Sequence, residues 1–554
     1  MFLKKLKRIF KNDFSQKEDD LSKQWENIIL NSNISFNDFD NDESKKILFV
    51  TSYGHTKYLN GVETVLGSCL KVRGHQPHYM ICDYTLPACE WNKWGNMNFD
   101  LSKFAPEHDD PYYTKYSCDV CVSEITNALE KLPFPLIKLS SFDKNQFDSD
   151  NLANLSFSEM RNYVYNDIAV GQQAFASVIR SLMVAHITEN EYTKWLLKRY
   201  LFASINIVNY TTEIIKNLNP DRIIMPHGVY VTHGTILMVA KKFKIPAFVH
   251  GRNYRRRTLT IVKDQSYHTF FHNLDKKHWN IGLSQNQETL IKDYLASRVQ
   301  GSQDRTSYHK KSQLNEKDII KDHNIDLDKP IVTLFTNVAW DAQIVYKSNY
   351  FDNMTSWVFD NIDYYSKKNN IQLVIRIHPS ESRGLGTNQP LFEEIISKYK
   401  TLPDNIIIIK SESKTNSYKL ADMSNASLVY ASKIGLEIVS RGIPVVLGGE
   451  AFYRNKGFTY DINSSHDFKY FNDNILKLGE NTNEKINMAL RFAYYFFYRS
   501  TLDFPLLSDT SLHDNNNPIL NFNSLEDLTP KNNYDVDHIC DAIINDIEPS
   551  FLVQ

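Results

Sequence analysis

The sequence predicts an α/β protein in which two sets of alternating strands and helices face a central cleft. Short apolar runs alternate with helical stretches over 46–251, and the same alternation restarts at Pro330. A polar, charged stretch with a helical pattern, 283–328, separates the two sets. At 554 residues the chain is also too long for a single hydrophobic core. Such alternation is typical of parallel sheets, which bind ligands outside the carboxyl ends of their strands.

The stretch 371–378 predicts a strand of the second set. Apolar and polar residues alternate there, so a half-buried strand would place Arg376 and His378 on the same side, and Pro379 would end it. Polar side chains at the carboxyl end of a parallel strand suit a ligand-binding role. In the alternative interpretation, His378 and Pro379 form only a turn.

A second apolar run in this set ends at Ser432, and a helix is predicted from about Ile434 to Arg441. The free N–H groups at the start of that helix would suit a phosphate. Glu437, one turn into the helix, could accept hydrogen bonds from a ribose. In the alternative, Ser432 only caps the helix. The predicted nucleotide-sugar site comprises Arg376, His378, Pro379, Ser432, Lys433, Gly435 and Glu437.

The charge and hydropathy of the whole chain limit its class and partners. Lysine and arginine total 63 residues and aspartate and glutamate 65, a balance that argues against a dedicated nucleic-acid-binding protein. No apolar run approaches the length of about 18 residues that a membrane-spanning helix needs, and no signal-peptide pattern opens the chain. We therefore expect a cytoplasmic protein that binds no nucleic acid.

Residues 1–45 predict a basic amphipathic segment followed by a linker. In MFLKKLKRIFKNDF the apolar residues share one helical face, and lysines and an arginine surround the other. Such a helix could lie on the anionic inner face of the cytoplasmic membrane. The alternative is a solvated terminus.

The first set of units begins with a strand over 46–50 and a loop that contains Gly54 and Gly61. This loop lacks the G-x-G-x-x-G fingerprint, so a bound NAD is not expected. Polar side chains near the strand ends are candidates for a general base, with capping or structural roles as the alternative. The candidates for catalysis are His55, Glu63, Asp83 and His227.

A basic cluster follows the predicted strand over 245–249. It includes Arg252 and Arg255, which could bind an anionic sugar or a phosphate. A solvated loop is the alternative interpretation.

Four of the six cysteines cluster in the first set: Cys82, Cys89, Cys118 and Cys121. The last two have the two-residue gap of a zinc knuckle, but six residues separate the first two, which is wide for a structural zinc site. A structural zinc ion and two buried thiol pairs are the two interpretations of this cluster.

Several motifs of the chain resemble a known family. RIHPSE, ASKIGLEIVSRGIPVVLGGEAFYRNKGFTYD and the earlier HG…KIPAFVHG are similar to the bacterial capsule polysaccharide biosynthesis proteins, the group that includes the Kdo transferases of capsule and lipopolysaccharide assembly. The resemblance covers roughly 220–461. It implies the GT-B architecture of glycosyltransferases, in which two Rossmann-like domains face a cleft.

The expected domains follow from this architecture and the pattern of elements. We expect an N-terminal segment and linker over 1–45, a Rossmann-like acceptor domain over 46–315, a Rossmann-like nucleotide-sugar donor domain over 316–480, and a helical tail over 481–554 that packs back on the domains.

The resemblance implies sugar transfer from a CMP- or UDP-linked donor to a growing surface or capsular polysaccharide, or to its lipid-linked acceptor. In related enzymes a His-Pro motif and a serine near a helix N-terminus contact the nucleotide phosphate. The matching residues here are His378, Pro379 and Ser432, with Glu437 in the nucleotide-contacting helix. No catalytic base carries over. Enzymes of this architecture commonly need no catalytic metal, so we expect no cofactor.

Two other functions are consistent with the same features. A nucleotide-sugar 2-epimerase has the same architecture and would return an isomer of the donor without an acceptor. A non-catalytic capsule assembly or export protein would bind glycan or lipid in the same cleft.

Overall fold

The computed structural model describes residues 20–551 except for 40, 42, 52–53, 91–110, 143–151, 153, 306–314, 342–348, 383–385, 479–482 and 509–517. For 111–117 it describes the backbone alone. The predicted amphipathic helix at the N-terminus lies outside the described residues. Among the helices that are described, none combines the length and apolar character needed to cross a membrane.

Thirteen strands lie in the described part of the chain. They are β1 (Lys46–Val50), β2 (Gln76–Ile81), β3 (Leu136–Lys138), β4 (Arg222–Pro226), β5 (Ala247–Arg252), β6 (Thr258–Lys263), β7 (Ile331–Phe335), β8 (Gln372–Arg376), β9 (Ile406–Ile409), β10 (Ala426–Val429), β11 (Val445–Leu447), β12 (Tyr460–Asp461) and β13 (Leu502–Asp503).

These strands form two separate sheets. The first has the order β13-β6-β5-β4-β1-β2-β3, and the second has the order β12-β11-β10-β7-β8-β9. Neighbouring strands are parallel except at β6, which runs antiparallel to β5 and to β13. This topology confirms the predicted α/β class with two Rossmann-like units in a GT-B-like arrangement.

Each sheet has one point at which the strand order reverses. In the first sheet, β2 and β3 extend from one side of β1, and β4 pairs with its other side. In the second sheet, β8 and β9 extend from one side of β7, and β10 pairs with its other side. Ligands of open parallel sheets bind at such a switch point, outside the carboxyl ends of the strands. The loops after β1, β4, β7 and β10 are therefore where a site is expected.

Helices connect and cover the strands. Within the described residues they are α1 (Leu21–Leu30), α2 (Lys57–Lys71), α3 (Pro111–Leu129), α4 (Phe157–Arg161), α5 (Val170–Leu182), α6 (Glu191–Leu218), α7 (Thr235–Phe243), α8 (Tyr267–Phe270), α9 (Lys276–Trp279), α10 (Gln285–Ser297), α11 (Glu316–His323), α12 (Met354–Tyr365), α13 (Leu391–Tyr399), α14 (Ser417–Asp422), α15 (Ile434–Val439), α16 (Ser465–Asp473), α17 (Asn483–Tyr494) and α18 (Tyr534–Ile544). Two π-helical segments, Tyr230–Gly234 and Tyr495–Arg499, are also present.

Burial follows the pattern of parallel strands that helices cover on both faces. All residues of β7 and β8 are buried, and β1 is buried from Ile47 to Val50. The long helix α2 is buried without interruption from Tyr58 to Leu70. Polar residues inside that stretch must therefore find hydrogen-bond partners within the protein.

The C-terminal tail returns from the second sheet to the first. After α17 the chain forms β13, which pairs with β6 at the edge of the first sheet. Farther along, Asp537 of α18 forms an ion pair with Arg73, and Arg222 donates a 2.8 Å hydrogen bond to the Ile543 carbonyl. The tail is thus fixed to the first half of the chain.

Candidate active site

The carboxyl ends of the two sheets meet around Asp341. This residue follows β7, and its Oδ1 lies 3.0 Å from Arg180 Nη1 of α5. The hydroxyl of Tyr230, which follows β4, lies 3.4 Å from the same oxygen. The Arg180 guanidinium also lies over the rings of Tyr230 and Trp340, 5.3 Å from each centroid. The switch points of both sheets therefore line one cleft.

The backbone after β4 adopts an unusual conformation at this cleft. His227, Gly228 and Tyr230 have φ angles of +58°, +67° and +69°, in the left-handed region that residues with side chains rarely adopt. A π-helical segment, Tyr230–Gly234, follows directly. Strained residues and π-helical turns concentrate at functional sites, so this loop is a candidate for direct contact with substrate.

The half-buried His227 imidazole is held in place by Ser266 and by the first residue of α8. Its Nδ1 lies 2.6 Å from the Tyr267 hydroxyl, and the Ser266 hydroxyl donates a 2.6 Å hydrogen bond to the His227 carbonyl. Gly251 makes room for the tyrosine, because a Cβ there would lie 2.2 Å from Tyr267 Cε1. Burial and the neighbouring His268 lower the pKa of His227 well below its ordinary value, so the imidazole is neutral.

Lys433 lies at the opposite side of the cleft, between β10 and α15. Its Nζ is 4.3 Å from the ring centroid of Tyr254. Among the described residues, this half-buried ammonium forms no ion pair and no hydrogen bond. Burial and the charge of Arg298 lower the pKa of Lys433 to about 8. Tyr254 follows β5, and Gly251 of β5 lies against the Tyr267 ring, so the Lys433 contact lies at the same end of the first sheet as His227 and Tyr267.

A buried network of ion pairs adjoins Lys433. Arg298 Nε lies 2.7 Å from Glu437 Oε1, and Arg298 Nη1 donates a 2.7 Å hydrogen bond to Asp304 Oδ1. The Tyr418 hydroxyl donates a 2.5 Å hydrogen bond to Glu437 Oε2. The predicted contact of Glu437 with a ribose is therefore corrected. This side chain is 2 % exposed, and both of its oxygens have partners inside the protein.

Ser432 and Gly435 serve the packing of the loop before α15. The helix has only six residues, and its N-cap is Lys433 rather than the predicted Ser432. The Ser432 carbonyl accepts a 2.7 Å hydrogen bond from the Tyr453 hydroxyl, and a Cβ on Gly435 would lie 2.1 Å from that hydroxyl oxygen. The phosphate contact predicted at the start of this helix stays a prediction.

Arg376 and His378 have different surroundings. The Arg376 guanidinium donates hydrogen bonds to backbone carbonyls over 410–415 and is 2 % exposed, so its predicted donor contact is corrected to a structural role. His378 is half-buried, and its Nδ1 accepts a 3.1 Å hydrogen bond from the Ser380 amide. Pro379 is buried and begins a 3-10 turn.

Comparison with known families agrees with the motifs of this region. Residues 279–478 match the model of a family described as capsule polysaccharide biosynthesis protein. Over this segment the predicted resemblance is confirmed. The capsule-family segment contains Arg298, His378 and Lys433, whereas His227 and Tyr267 precede it. No curated protein matches the chain.

Solved structures of sugar-processing enzymes are similar to the chain at low identity. A beta Kdo 2,4 transferase, KpsC of Thermosulfurimonas dismutans, is 12 % identical with a TM-score of 0.31 and covers 49 % of this chain and 79 % of that one. The beta Kdo 2,7 transferase of the same KpsC is 13 % identical with a TM-score of 0.30, covering 60 % and 89 %. UDP-GlcNAc 2-epimerase from Neisseria meningitidis is 10 % identical with a TM-score of 0.26, covering 82 % and 99 %. Scores of this size carry no functional information.

Outside the capsule-family segment, two of the predicted catalytic carboxylates have structural partners. Glu63 is 1 % exposed; its Oε1 lies 3.0 Å from His250 Nε2, and its other oxygen accepts a hydrogen bond from a threonine after β1. Asp83 accepts a 2.8 Å hydrogen bond from the Ser140 amide and fixes a turn. These contacts give both carboxylates structural partners, and their roles as general bases stay predictions. His55 is half-buried after β1, and its role stays a prediction.

The two arginines predicted to bind an anion also have partners within the protein. Arg255 donates a 2.7 Å hydrogen bond to the Phe497 carbonyl and lies 3.2 Å from Asp503, so it anchors the tail to the first sheet. Its predicted contact with substrate is corrected accordingly. The Arg252 guanidinium lies 3.7 Å from the ring centroid of Tyr58, and its anion contact stays a prediction.

The clustered cysteines occupy positions near the ends of β1 and β2. Cys121 Sγ accepts a 2.9 Å hydrogen bond from the Gly54 amide. Burial raises the pKa of Cys82 to about 11 and that of Cys121 to about 12, so both thiols stay protonated. No group of three or more His, Cys, Asp or Glu side chains in the described part of the chain is placed to hold a metal ion. The positions of Cys82, Cys89, Cys118 and Cys121 thus give no support to a zinc site.

Three residues of the cleft were not predicted from the sequence. Arg180 lies inside α5, Tyr267 is the first residue of the short helix α8, and Tyr254 lies in the loop after β5. Only their tertiary contacts reveal them. Asp341 did carry a signal, because it follows a predicted strand, but nothing in the sequence indicated its partner across the cleft.

Proposed function

We propose that the chain is a glycosyltransferase that moves a sugar from a CMP- or UDP-linked donor onto a growing surface or capsular polysaccharide, or onto its lipid-linked acceptor. The family match over 279–478 and the cleft at the two switch points support this proposal. The enzyme would act at the cytoplasmic face of the inner membrane with capsule assembly proteins and without a metal cofactor.

The ammonium of Lys433, which forms no ion pair with any residue that the structure describes, is the observation that carries the proposal. A cation withdrawn from water destabilises a protein unless an opposite charge accompanies it. Lys433 has no carboxylate within ion-pair distance among the described residues, although Arg298 beside it has two. An anionic ligand would supply the missing charge, and the phosphate of a nucleotide sugar is such a ligand.

The proposed chemistry is displacement at the anomeric carbon. An oxygen of the acceptor hydroxyl forms a bond to that carbon, the bond from the carbon to the phosphate oxygen breaks, and the nucleotide leaves with the electron pair. The acceptor proton passes to solvent water in the same step. Lys433 would stabilise the charge that grows on the phosphate, a type of contribution that is often the largest in catalysis, and His378 would contact the same phosphate. His227 would contact the sugar or the acceptor from the other wall.

Thermal stabilisation of the full-length protein by CMP, UDP, GDP and their sugars tests the donor class. A ligand at about 100 times its Kd should stabilise the fold by about 2.7 kcal/mol. We expect a selective shift with CMP or UDP compounds that is smaller in His378→Ala. No shift with any nucleotide would contradict the proposal.

Transfer to an acceptor glycan, measured with and without EDTA, then separates the functions. Formation of a glycosidic product in both conditions is expected. Release of a donor isomer without any acceptor would instead identify an epimerase, and nucleotide binding without turnover would identify an assembly protein.

Membrane association is proposed for the basic segment 1–14. Each of its lysines and its arginine should contribute about 1 kcal/mol of attraction to an anionic surface. We expect the protein to co-sediment with vesicles that contain anionic lipid and not with neutral ones. Replacing Lys4, Lys5, Lys7 and Arg8 by glutamine should abolish sedimentation, and binding that survives this change would contradict the assignment.

A further inference from the structure

The hydrogen bond between His227 and Tyr267 determines which nitrogen of the imidazole carries the proton. Nδ1 and the phenol oxygen are 2.6 Å apart, shorter than the usual N–H···O distance of about 2.9 Å and typical of a donating hydroxyl. Burial raises the pKa of Tyr267, so the phenol keeps its proton and can donate it. A neutral imidazole that accepts at Nδ1 must carry its own proton on Nε2.

We propose that Tyr267 is a positioning residue that donates a hydrogen bond to His227 Nδ1 and keeps the imidazole proton on Nε2. No partner of Nε2 is present among the described residues, and the ring is half-buried at the cleft. His227 then offers substrate a neutral hydrogen-bond donor. It does not act there as a general base. The contact of His227 with substrate rests on the proposed function. Its hydrogen bond with Tyr267 does not depend on that function.

The construction of the site fixes both rings. Ser266 holds the His227 carbonyl, and the absence of a side chain at Gly251 lets the Tyr267 ring lie against β5. The left-handed backbone at His227 turns the imidazole towards α8 at the expense of local strain. A tyrosine that merely filled space would not need the short hydrogen bond to His227.

The charged and titratable groups around this pair favour the neutral imidazole. His227 is influenced by groups on four other elements, and Asp341 acts on the neighbouring Tyr267 and His268. The groups that face His227 are Tyr267 and His268 of α8, His233 of the π-helical segment, Arg180 of α5 and His250 of β5. Positive charge from Arg180 and from any protonated histidine opposes protonation of His227, in the same direction as burial.

Titration of His227 by NMR in histidine-labelled full-length protein tests the inference. The His227 resonances are assigned by their loss in His227→Gln. In the unmodified protein we expect a neutral ring with unprotonated Nδ1 at neutral pH. In Tyr267→Phe the pKa of His227 should rise towards the ordinary histidine value, because a hydrogen bond that stabilises the neutral form is gone. Tyr230→Phe, which removes another cleft hydroxyl, should leave the pKa of His227 in place.

Two outcomes would overturn the proposal. An unchanged or lower pKa of His227 in Tyr267→Phe would show that Nδ1–H donates to the tyrosine. A protonated Nδ1 in the unmodified protein at neutral pH would likewise show that His227 donates this hydrogen bond and Tyr267 accepts it. Should Tyr267→Phe fail to fold, Gly251→Ala provides a second route, because its Cβ displaces the ring while the hydroxyl remains, and the same upward shift is expected.

Activity separates this inference from the proposed function. If His227 acts in transfer as a donor, the pH profile of kcat in Tyr267→Phe should gain an acidic limb at the new pKa of His227. The expected NMR shift without any transferase activity would leave the positioning role intact and contradict the proposed function. Transfer activity without the NMR shift would contradict the positioning role of Tyr267 and leave the proposed function intact.

Discussion

Replacing Lys433 by methionine should lower kcat/KM for the nucleotide-sugar donor by about 100-fold or more, because one preorganised group aimed at developing charge typically contributes about 10²–10³-fold. Methionine keeps an unbranched chain of similar length against the Tyr254 ring but carries no charge. The variant should be at least as stable as the parent protein, because it removes a charge withdrawn from water and breaks no ion pair among the described residues. Steady-state kinetics and thermal unfolding measure the two effects.

The pH dependence of donor binding should report the same ammonium. The pKa of Lys433 is lowered to about 8 by burial and by Arg298, so the side chain is protonated at neutral pH and loses its charge as the pH rises. Donor affinity of the parent protein should therefore fall above about pH 8, and the bound phosphate should move the midpoint upwards in the complex by stabilising the charged form. In Lys433→Met this alkaline loss of affinity should disappear.

Two matched variants make the Lys433 prediction specific. Lys485 is also half-buried, with its Nζ 3.6 Å from the ring centroid of Tyr460, so Lys485→Met removes a lysine with the same ring contact outside the cleft. It should leave kcat/KM unchanged. Lys433→Arg keeps the charge and should retain more activity than Lys433→Met. Equal losses in Lys433→Met and Lys485→Met, or full activity in Lys433→Met, would contradict the assignment.

The sequence predicted the elements of the fold well where the signal is local. The strands predicted at 46–50 and 371–378 correspond to β1 and β8, but β8 ends at Arg376 and is buried along its whole length rather than half-buried, because helices cover a parallel sheet on both faces. The strand β13 has only two residues and pairs with β6, far away in the sequence. Its existence depends on where the tail returns, and no periodicity of two residues can indicate that.

The candidate site was predictable in position but not in chemistry. His227 and Lys433 were identified because they follow strands, and both lie at the cleft. Glu63, Glu437 and Arg255 were identified by similar signals. Each of these three has a partner from a distant part of the chain, such as His250 for Glu63, 187 residues away. A local pattern places a polar group at a strand end or in a loop, but only tertiary contacts determine whether another residue of the protein already pairs with its charge.

Replacing Arg298 by methionine should destabilise the protein by about 3–5 kcal/mol, because it leaves two buried carboxylates without their counter-ion. Arg298 is 3 % exposed and forms ion pairs with Glu437 and with Asp304, which are 2 % and 6 % exposed. The network joins the segment after α10 to α15 of the second half, and its loss should loosen the floor of the cleft next to Lys433. Urea unfolding followed by tryptophan fluorescence measures the change.

A surface ion pair provides the control for this effect. Arg441 Nη1 lies 2.6 Å from Asp422 Oδ1, but the two side chains are 25 % and 28 % exposed. Water stabilises the carboxylate when the arginine is removed, so Arg441→Met should destabilise the protein by no more than about 1 kcal/mol. Similar losses of unfolding free energy in Arg298→Met and Arg441→Met would show that the buried network stabilises the protein no more than a surface ion pair does.

The pH dependence of the Arg298→Met variant should reveal the cause of its instability. Without the guanidinium, the buried carboxylates of Glu437 and Asp304 keep their negative charge without a counter-ion. Protonation at acidic pH removes this charge, so the deficit relative to the parent protein should be largest at neutral pH and shrink towards acidic pH. Adding Glu437→Gln and Asp304→Asn removes both charges and should recover much of the loss at neutral pH. A deficit that is independent of pH and survives these two changes would indicate lost packing rather than uncompensated charge.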